Sequence, residues 1–132
     1  MNHPAAVSYE GGCACGAVRF RINNPPRRTG LCHCKTCRKS FASAFNAFVV
    51  FAREHFEFSG EVRGWESTPG YLRSFCPKCG SPVFDTSKEE VEVGIGSFDD
   101  LSVFTPQYEL WVGRREAWLA PLDVPQYEHN RF

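Results

Sequence analysis

Seven cysteines are the residues of this 132-residue chain best suited to chemistry. They are Cys13 and Cys15, then Cys32, Cys34 and Cys37, and finally Cys76 and Cys79. An odd count leaves one thiol unpaired in any complete disulfide scheme, and disulfides are rare in the cytosol. These groups therefore predict metal ligands or reactive thiols.

The first and last groups together provide the four sulfurs of a closed zinc site. Such a site needs sulfurs about 2.3 Å from the ion in a tetrahedron, and cysteine pairs on tight turns supply them in halves. Pro77 and Gly80 favour a turn in the last group. The glycines at 11, 12 and 16 would let the chain curl around one ion. We therefore predict a structural zinc held by Cys13, Cys15, Cys76 and Cys79.

The middle group is one ligand short of a tetrahedron. Three protein ligands and an open position are typical of catalytic zinc, and three thiolates could hold an incoming thiol in its ionised form. Cys32, Cys34 and Cys37 are accordingly the predicted catalytic ligands, with thiolate activation as their chemistry. The spacing leaves other partitions open, including one in which Cys37 joins the last pair. His33 points away from the metal if its stretch is extended, which favours a packing or supporting role.

Other polar residues are candidates without a settled role. Lys35, Arg38 and Lys39 could offset thiolate charge or bind substrate carboxylates, or they could form a solvated basic turn. Five acids are possible general acids or bases, and the sequence assigns the role to none of them. They are Glu54, Glu57, Glu66, Asp85 and Glu109.

Charge and hydropathy exclude several classes of protein. Fifteen basic and fifteen acidic side chains give a net charge of zero, which argues against a nucleic-acid partner. No apolar run approaches the roughly 20 residues of a membrane helix. Residues 1 to 12 lack the profile of a secretion signal, so we expect a cytoplasmic protein without a membrane partner.

The elements that position these groups are predicted to be mainly β. Residues 17 to 22 alternate apolar and polar side chains, and residues 45 to 51 form a short aromatic and β-branched run typical of a buried strand. "YLRSF" and "VEVGI" follow similar patterns. Short helical turns are expected after Cys34 and around 52 to 56. We expect one domain over residues 1 to 132, with 118 to 132 an extended C-terminal tail.

Five motifs resemble the glutathione-dependent formaldehyde-activating enzyme family, in that family's order and spacing. They are "GGCACGAVRF", "CHCKTCRKS", "RSFCPKCGSPVF", "VGIGSFDD" and "PQYELWVGRREAWL". The resemblance implies an Mss-four-like fold of several coiled antiparallel β-sheets with zinc knuckles. It also implies two zinc ions per chain, one structural and one catalytic, divided between the cysteines as the count above divides them.

The resemblance further implies a carbon-sulfur lyase or synthase. Such an enzyme adds a thiol to formaldehyde or another small aldehyde. Glutathione is the expected thiol, and its product with formaldehyde is S-(hydroxymethyl)glutathione. Phe41 and Ala42 stand where family members often have small residues and a glycine, and the bulky Phe41 ring could narrow or reshape the thiol pocket. Two other hypotheses remain at this point. One is a zinc-stabilised binding module without catalysis, and the other is a redox switch in which the middle cysteines form a disulfide.

Overall fold

The computed structural model describes residues 7–132 and is built mainly from β-strands. The strands are β1 (Tyr9–Gly12), β2 (Arg19–Ile22), β3 (Arg28–Cys32), β4 (Asn46–Ala52), β5 (Phe56–Ser59), β6 (Arg63–Thr68), β7 (Tyr71–Phe75), β8 (Pro82–Thr86), β9 (Glu90–Gly94) and β10 (Glu109–Leu110). The helix α1 spans Lys35–Phe41, and 3₁₀ turns occupy Arg53–His55, Ile95–Ser97 and Val112–Arg114. Residues 1–6 belong to the stretch used above to argue against a secretion signal and lie outside the described residues.

The strands form two sheets. The smaller one has the order β1-β2-β5, and the larger one has the order β10-β3-β4-β9-β8-β7-β6. All pairings are antiparallel except that of β10 with β3, which is parallel. The predicted mainly β class is therefore confirmed. In the described part of the chain, no helix is long and apolar enough to cross a membrane.

The strands predicted from residue patterns are present. The alternating stretch at 17 to 22 contains β2, the aromatic run contains β4, and "YLRSF" and "VEVGI" correspond to β7 and β9. Helical turns follow Cys34 and occupy Arg53–His55, as expected. Local side-chain pattern was sufficient here because most of these strands bury at least one face.

Strand β4 is buried on both faces, which explains its nearly continuous apolar sequence. Val49 and Phe51 join the main core between the two sheets. Phe48 and Val50 point the opposite way and pack with Cys32 and Cys37 in a second cluster. The strand therefore connects the main core with the floor of the three-cysteine group.

The second face of the large sheet also carries a row of side chains that face one another across six strands. The row consists of Arg28, Val50, Glu92, Asp85, Arg73 and Trp65, each paired with the next. Directly paired residues project from the same face of a sheet, so this row lies on the face that carries Cys32. Charged residues are thus brought to the side of the sheet where the three cysteines lie.

Helix α1 covers part of that face, and a cysteine is the capping residue at its N-terminal end. The Cys34 sulfur caps the helix by accepting a hydrogen bond from the Cys37 amide, at 3.3 Å. At the other end, Ala42 adopts a left-handed conformation with φ of 48°, and the amide of Ser43 donates to the Arg38 carbonyl. The helix therefore holds Cys34 and Cys37 in a fixed relation.

Candidate metal centres

Four cysteines from two loops form the first centre. Cys13 and Cys15 follow β1, whereas Cys76 and Cys79 follow β7, and their four sulfur atoms all lie within 4.8 Å of one another. The sulfurs of Cys13 and Cys15 are 3.6 Å apart, and those of Cys15 and Cys76 are 3.8 Å apart. A zinc tetrahedron with bonds of about 2.3 Å has an edge of about 3.8 Å. The spacing therefore fits a four-thiolate ion.

Backbone turns and hydrogen bonds prepare this centre for negative charge. Gly16 and Gly80 have φ of 80° and 79°, the left-handed conformation that glycine adopts without strain. The Val18 amide donates to the Cys13 sulfur at 3.2 Å. Hydrogen bonds from the Ser81 hydroxyl and amide lower the pKa of the Cys79 thiol to about 5. A cation is the natural partner for sulfurs held in this way.

Three cysteines form the second centre. Cys32 ends β3, Cys34 caps α1, and Cys37 lies one turn into the helix, with the three sulfurs within 4.8 Å of one another. Interactions with the Cys32 and Cys37 thiols lower the pKa of Cys34 to about 2, whereas the neighbouring Cys34 raises the pKa of Cys32 to about 12. Three sulfurs this close cannot all ionise unless a cation offsets the repulsion.

Both clusters fit a soft divalent cation. Thiolates are preferred ligands of zinc, and either group could hold a metal ion. The structure groups Cys37 with Cys32 and Cys34, which is the division of four and three that the sequence favoured. The first cluster offers the four ligands of a tetrahedral site, and the second offers three, one fewer than a tetrahedron needs.

His33 lies between two members of the second cluster but points away from them. It is fully buried, and its Nε2 atom is 2.7 Å from the Glu109 carboxylate. Glu109 also accepts hydrogen bonds from the Leu122 amide and the Gln126 side chain, both at 2.8 Å. Residues 118–132 are thus tied to the loop that bears Cys32 and Cys34. The packing interpretation of His33 agrees with this placement.

Glu109→Ala is expected to lower the free energy of unfolding by about 3–5 kcal/mol, because it removes the partner of the fully buried His33 and an acceptor of the Leu122 amide and the Gln126 side chain. Burial alone would raise the pKa of Glu109, but hydrogen bonds from Gln126, His33 and Leu122 lower it to about 2. The stabilisation that the Glu109 carboxylate provides is therefore fully present above about pH 4.3 and is lost as the pH falls through about 2.

Urea denaturation at pH 7 measures how much stability the Glu109→Ala variant loses. Exposed Glu57 provides the control, since Glu57→Ala should change stability by less than about 0.5 kcal/mol. Equal urea midpoints for the two variants would contradict the prediction.

The five candidate general acids and bases fall into an exposed group and a buried group. Glu54, Glu57 and Glu66 are exposed. Asp85 and Glu109 are buried, with Asp85 on the sheet face that carries Cys32. Only these two of the five therefore have an environment that could set them apart chemically.

A pocket of about 190 Å³ lies between the end of α1 and strands β7 and β8. Arg73, Asp85, Phe41 and Ser40 are among the residues that line it. Arg73 links the pocket to the cysteines, because its Nη2 atom is 4.0 Å from the Cys37 sulfur. Sequence reasoning missed Arg73, although it lies three residues before Cys76 in a motif that was quoted. Phe41 also forms part of the wall of this pocket.

A second, basic groove of about 400 Å³ runs along the other face of α1. Lys35, Arg38, Lys39 and Arg114 contribute cationic groups to it. Arg38 is paired with Glu116, which leaves an excess of positive charge in the groove. The three basic residues singled out in the sequence therefore lie together and could receive an anionic molecule.

A family model and a curated relative point to one family. The family model described as glutathione-dependent formaldehyde-activating enzyme matches residues 8–114. A Halomonas elongata protein named "Putative glutathione-dependent formaldehyde-activating enzyme" is 38% identical over 89 residues, covering 58% of this chain and 55% of the relative. An "Uncharacterized lyase" of Schizosaccharomyces pombe is 30% identical over 76 residues, covering 58% of this chain and 56% of the relative. The chain thus spans about half the length of these curated relatives.

A solved structure supports the fold independently. The crystal structure of a Rhodobacter sphaeroides protein aligns with a TM-score of 0.57 and 18% sequence identity. The alignment covers 89% of this chain and 98% of the other. At this identity the likeness concerns the arrangement of the backbone, which is shared over nearly the whole length of both chains.

Proposed function

Because the chain belongs to the glutathione-dependent formaldehyde-activating enzyme family, we propose that it adds a thiol to a small aldehyde, with glutathione and formaldehyde as the first pair to test. The reaction forms a carbon-sulfur bond and gives S-(hydroxymethyl)glutathione, and the reverse reaction makes the protein a carbon-sulfur lyase. The observation that carries the proposal is the group of three clustered cysteines, which is one ligand short of a tetrahedral zinc site.

Under this proposal, Cys13, Cys15, Cys76 and Cys79 hold a structural zinc, and Cys32, Cys34 and Cys37 hold a catalytic one. The second ion, when bound, would keep a substrate thiol ionised near neutral pH. The three cysteines fix the position of that thiol, and helix α1 fixes the cysteines. Phe48, Val50 and Tyr108 pack against them and keep water from that side.

The basic groove supports glutathione as the thiol. Glutathione carries two carboxylates, and Lys35, Lys39 and Arg114 offer complementary charge. The groove and Cys37 lie on opposite faces of α1, a helix about 10 Å across. The glutathione sulfur is on the middle residue of the tripeptide, so its carboxylates would reach the groove by passing round the end of the helix that Cys34 caps.

Exchange NMR at pH 7 tests this proposal. Glutathione, formaldehyde and their adduct interconvert at some rate without a catalyst, and we expect the zinc-loaded protein to accelerate the exchange of the hydroxymethyl group above that rate. The same experiment with 2-mercaptoethanol, which has no carboxylates to bind, should show a smaller acceleration. Exchange no faster than in a protein-free blank would contradict catalysis and favour a zinc-stabilised binding module.

A further inference from the structure

Four polar side chains form a partly buried network on the sheet face beside Cys37. Arg73 Nη1 lies 3.4 Å from Asp85 Oδ2. The Tyr71 hydroxyl lies 3.1 Å from that same Asp85 oxygen and 2.5 Å from Glu92 Oε2. The Arg73 guanidinium also lies over the Tyr71 ring, 5.2 Å from its centroid. The network thus combines two carboxyl groups, one phenol and one cation.

The two distances from the Tyr71 hydroxyl indicate that one of the two carboxyl groups is protonated. A tyrosine hydroxyl has one hydrogen to donate, yet two carboxyl oxygens lie within hydrogen-bonding distance of it. The second contact is favourable only if one carboxyl group is itself protonated and donates to the phenolic oxygen. Arg73 can balance only one carboxylate. A proton shared between Asp85 and Glu92 therefore completes both the hydrogen bonds and the charge balance.

The surroundings of both carboxyl groups agree with a retained proton. Burial raises the pKa of Asp85 to about 7, although Arg73 opposes the change. Burial also raises the pKa of Glu92, against the effects of Tyr71, Arg73 and the more distant Arg28. Glu90 adds further negative charge near Glu92. Helix α1 contributes only Ser40 and Phe41 to the adjoining pocket.

Asp85 is the member of the pair that a substrate can reach. The Asp85 side chain is 6% exposed and lines the pocket together with Arg73, which touches the Cys37 sulfur. Glu92 and Tyr71 are not among the pocket-lining residues and lie behind Asp85. At about 30 Å³ for each water molecule, the pocket has room for about six waters, which is ample for a small aldehyde.

We propose that Asp85 is the general acid and base of the thiol addition, and that Tyr71 and Glu92 are positioning residues that keep its proton available. This inference rests on the proposed function. The thiolate sulfur forms a bond to the carbonyl carbon, the carbonyl π electrons move to oxygen, and the Asp85 proton completes the hydroxyl group. The proton that the thiol released on ionisation returns to Asp85 through water, so no net proton is consumed.

Asp85→Asn tests the role of Asp85 directly. Asparagine keeps the shape of the side chain but cannot transfer the proton, so kcat for adduct formation should fall by about 10²–10⁴-fold. Zinc content and the dissociation constant for glutathione should stay unchanged. Asp100, which is exposed, gives the matched control, and Asp100→Asn should keep the wild-type rate. A wild-type rate in Asp85→Asn would overturn the inference.

Glu92→Gln separates proton handling from a merely structural role. In the synthetic direction the protonated form of Asp85 is required, so kcat of the wild type should fall as the pH rises through about 7. Glu92→Gln removes a negative charge that favours protonation of Asp85. The fall in kcat should therefore occur at a lower pH in this variant than in the wild type. An unchanged pH profile would count against the shared proton.

Measuring the wild-type protein beside these variants separates a failure of the proposed function from a failure of the role assigned to Asp85. A wild type no faster than the protein-free blank overturns the proposed function, and this inference falls with it. An active wild type whose rate is matched by Asp85→Asn overturns the inference alone. Support requires an active wild type, a slow Asp85→Asn variant with unchanged thiol binding, and a shifted profile for Glu92→Gln.

Discussion

Cys76→Ser is expected to leave the chain unfolded at 25 °C in the absence of any denaturant. The Cys76 side chain is fully buried and belongs to the cluster that joins the loop after β1 to the loop after β7. Structural zinc contributes about 10–16 kcal/mol of binding energy in small zinc-finger peptides, whereas a typical domain is stable by only about 5–15 kcal/mol. Loss of the proposed ion would therefore exceed the margin of stability.

Circular dichroism and bound-zinc analysis would measure the effect of Cys76→Ser. We expect loss of the β-sheet signal together with loss of both zinc ions, since an unfolded chain holds neither cluster in place. Chelation of the wild-type protein should produce the same unfolded spectrum. A folded Cys76→Ser variant that retains two zinc ions would contradict the assignment of this cluster as structural.

Cys37→Ala is expected to abolish catalysis while the protein stays folded. The change removes one of the three proposed ligands and leaves two, so the second zinc should be lost and the first retained. Alanine is a good helix former, and we expect the substitution inside α1 to cost about 1 kcal/mol of stability. Hydroxymethyl exchange should fall to the rate of the protein-free blank.

The readouts for Cys37→Ala do not depend on activity alone. Metal analysis should give one zinc per chain in place of two, and circular dichroism should match the wild type. Comparison with Cys76→Ser is informative, because each variant removes one sulfur but the two differ in what survives. Wild-type exchange by a Cys37→Ala protein with one zinc would show that the three-cysteine centre is not the site of reaction.

The strands and the cysteine clusters could be predicted because their signals are local or limited in number. Alternation of Val18, Phe20 and Ile22 indicates a half-buried strand without knowledge of its neighbours. Seven cysteines on three short segments allow few arrangements, and a division into four and three uses them all. The glycines beside the pairs also signal the turns, and Gly16 and Gly80 have the expected positive φ.

The polar partners could not be predicted because they depend on the register of distant strands. Glu92 faces Asp85 only because β9 pairs with β8 in one particular alignment. Glu109 meets His33 across 76 positions of sequence, through the parallel pairing of β10 with β3. Arg73 resembles an ordinary polar residue of an alternating strand until its contact with Cys37 is known. Sequence spacing carries no record of such pairings.

The two-sided burial of β4 has a consequence for the kinds of sequence change this family can accept. Insertion or deletion of one residue within β4 would turn Val49 and Phe51 toward the cysteines and Phe48 and Val50 toward the main core. A single genetic event would then disturb folding and the reaction site together. Changes of length should accumulate in the connections, such as residues 23–27, while β4 varies by substitution alone.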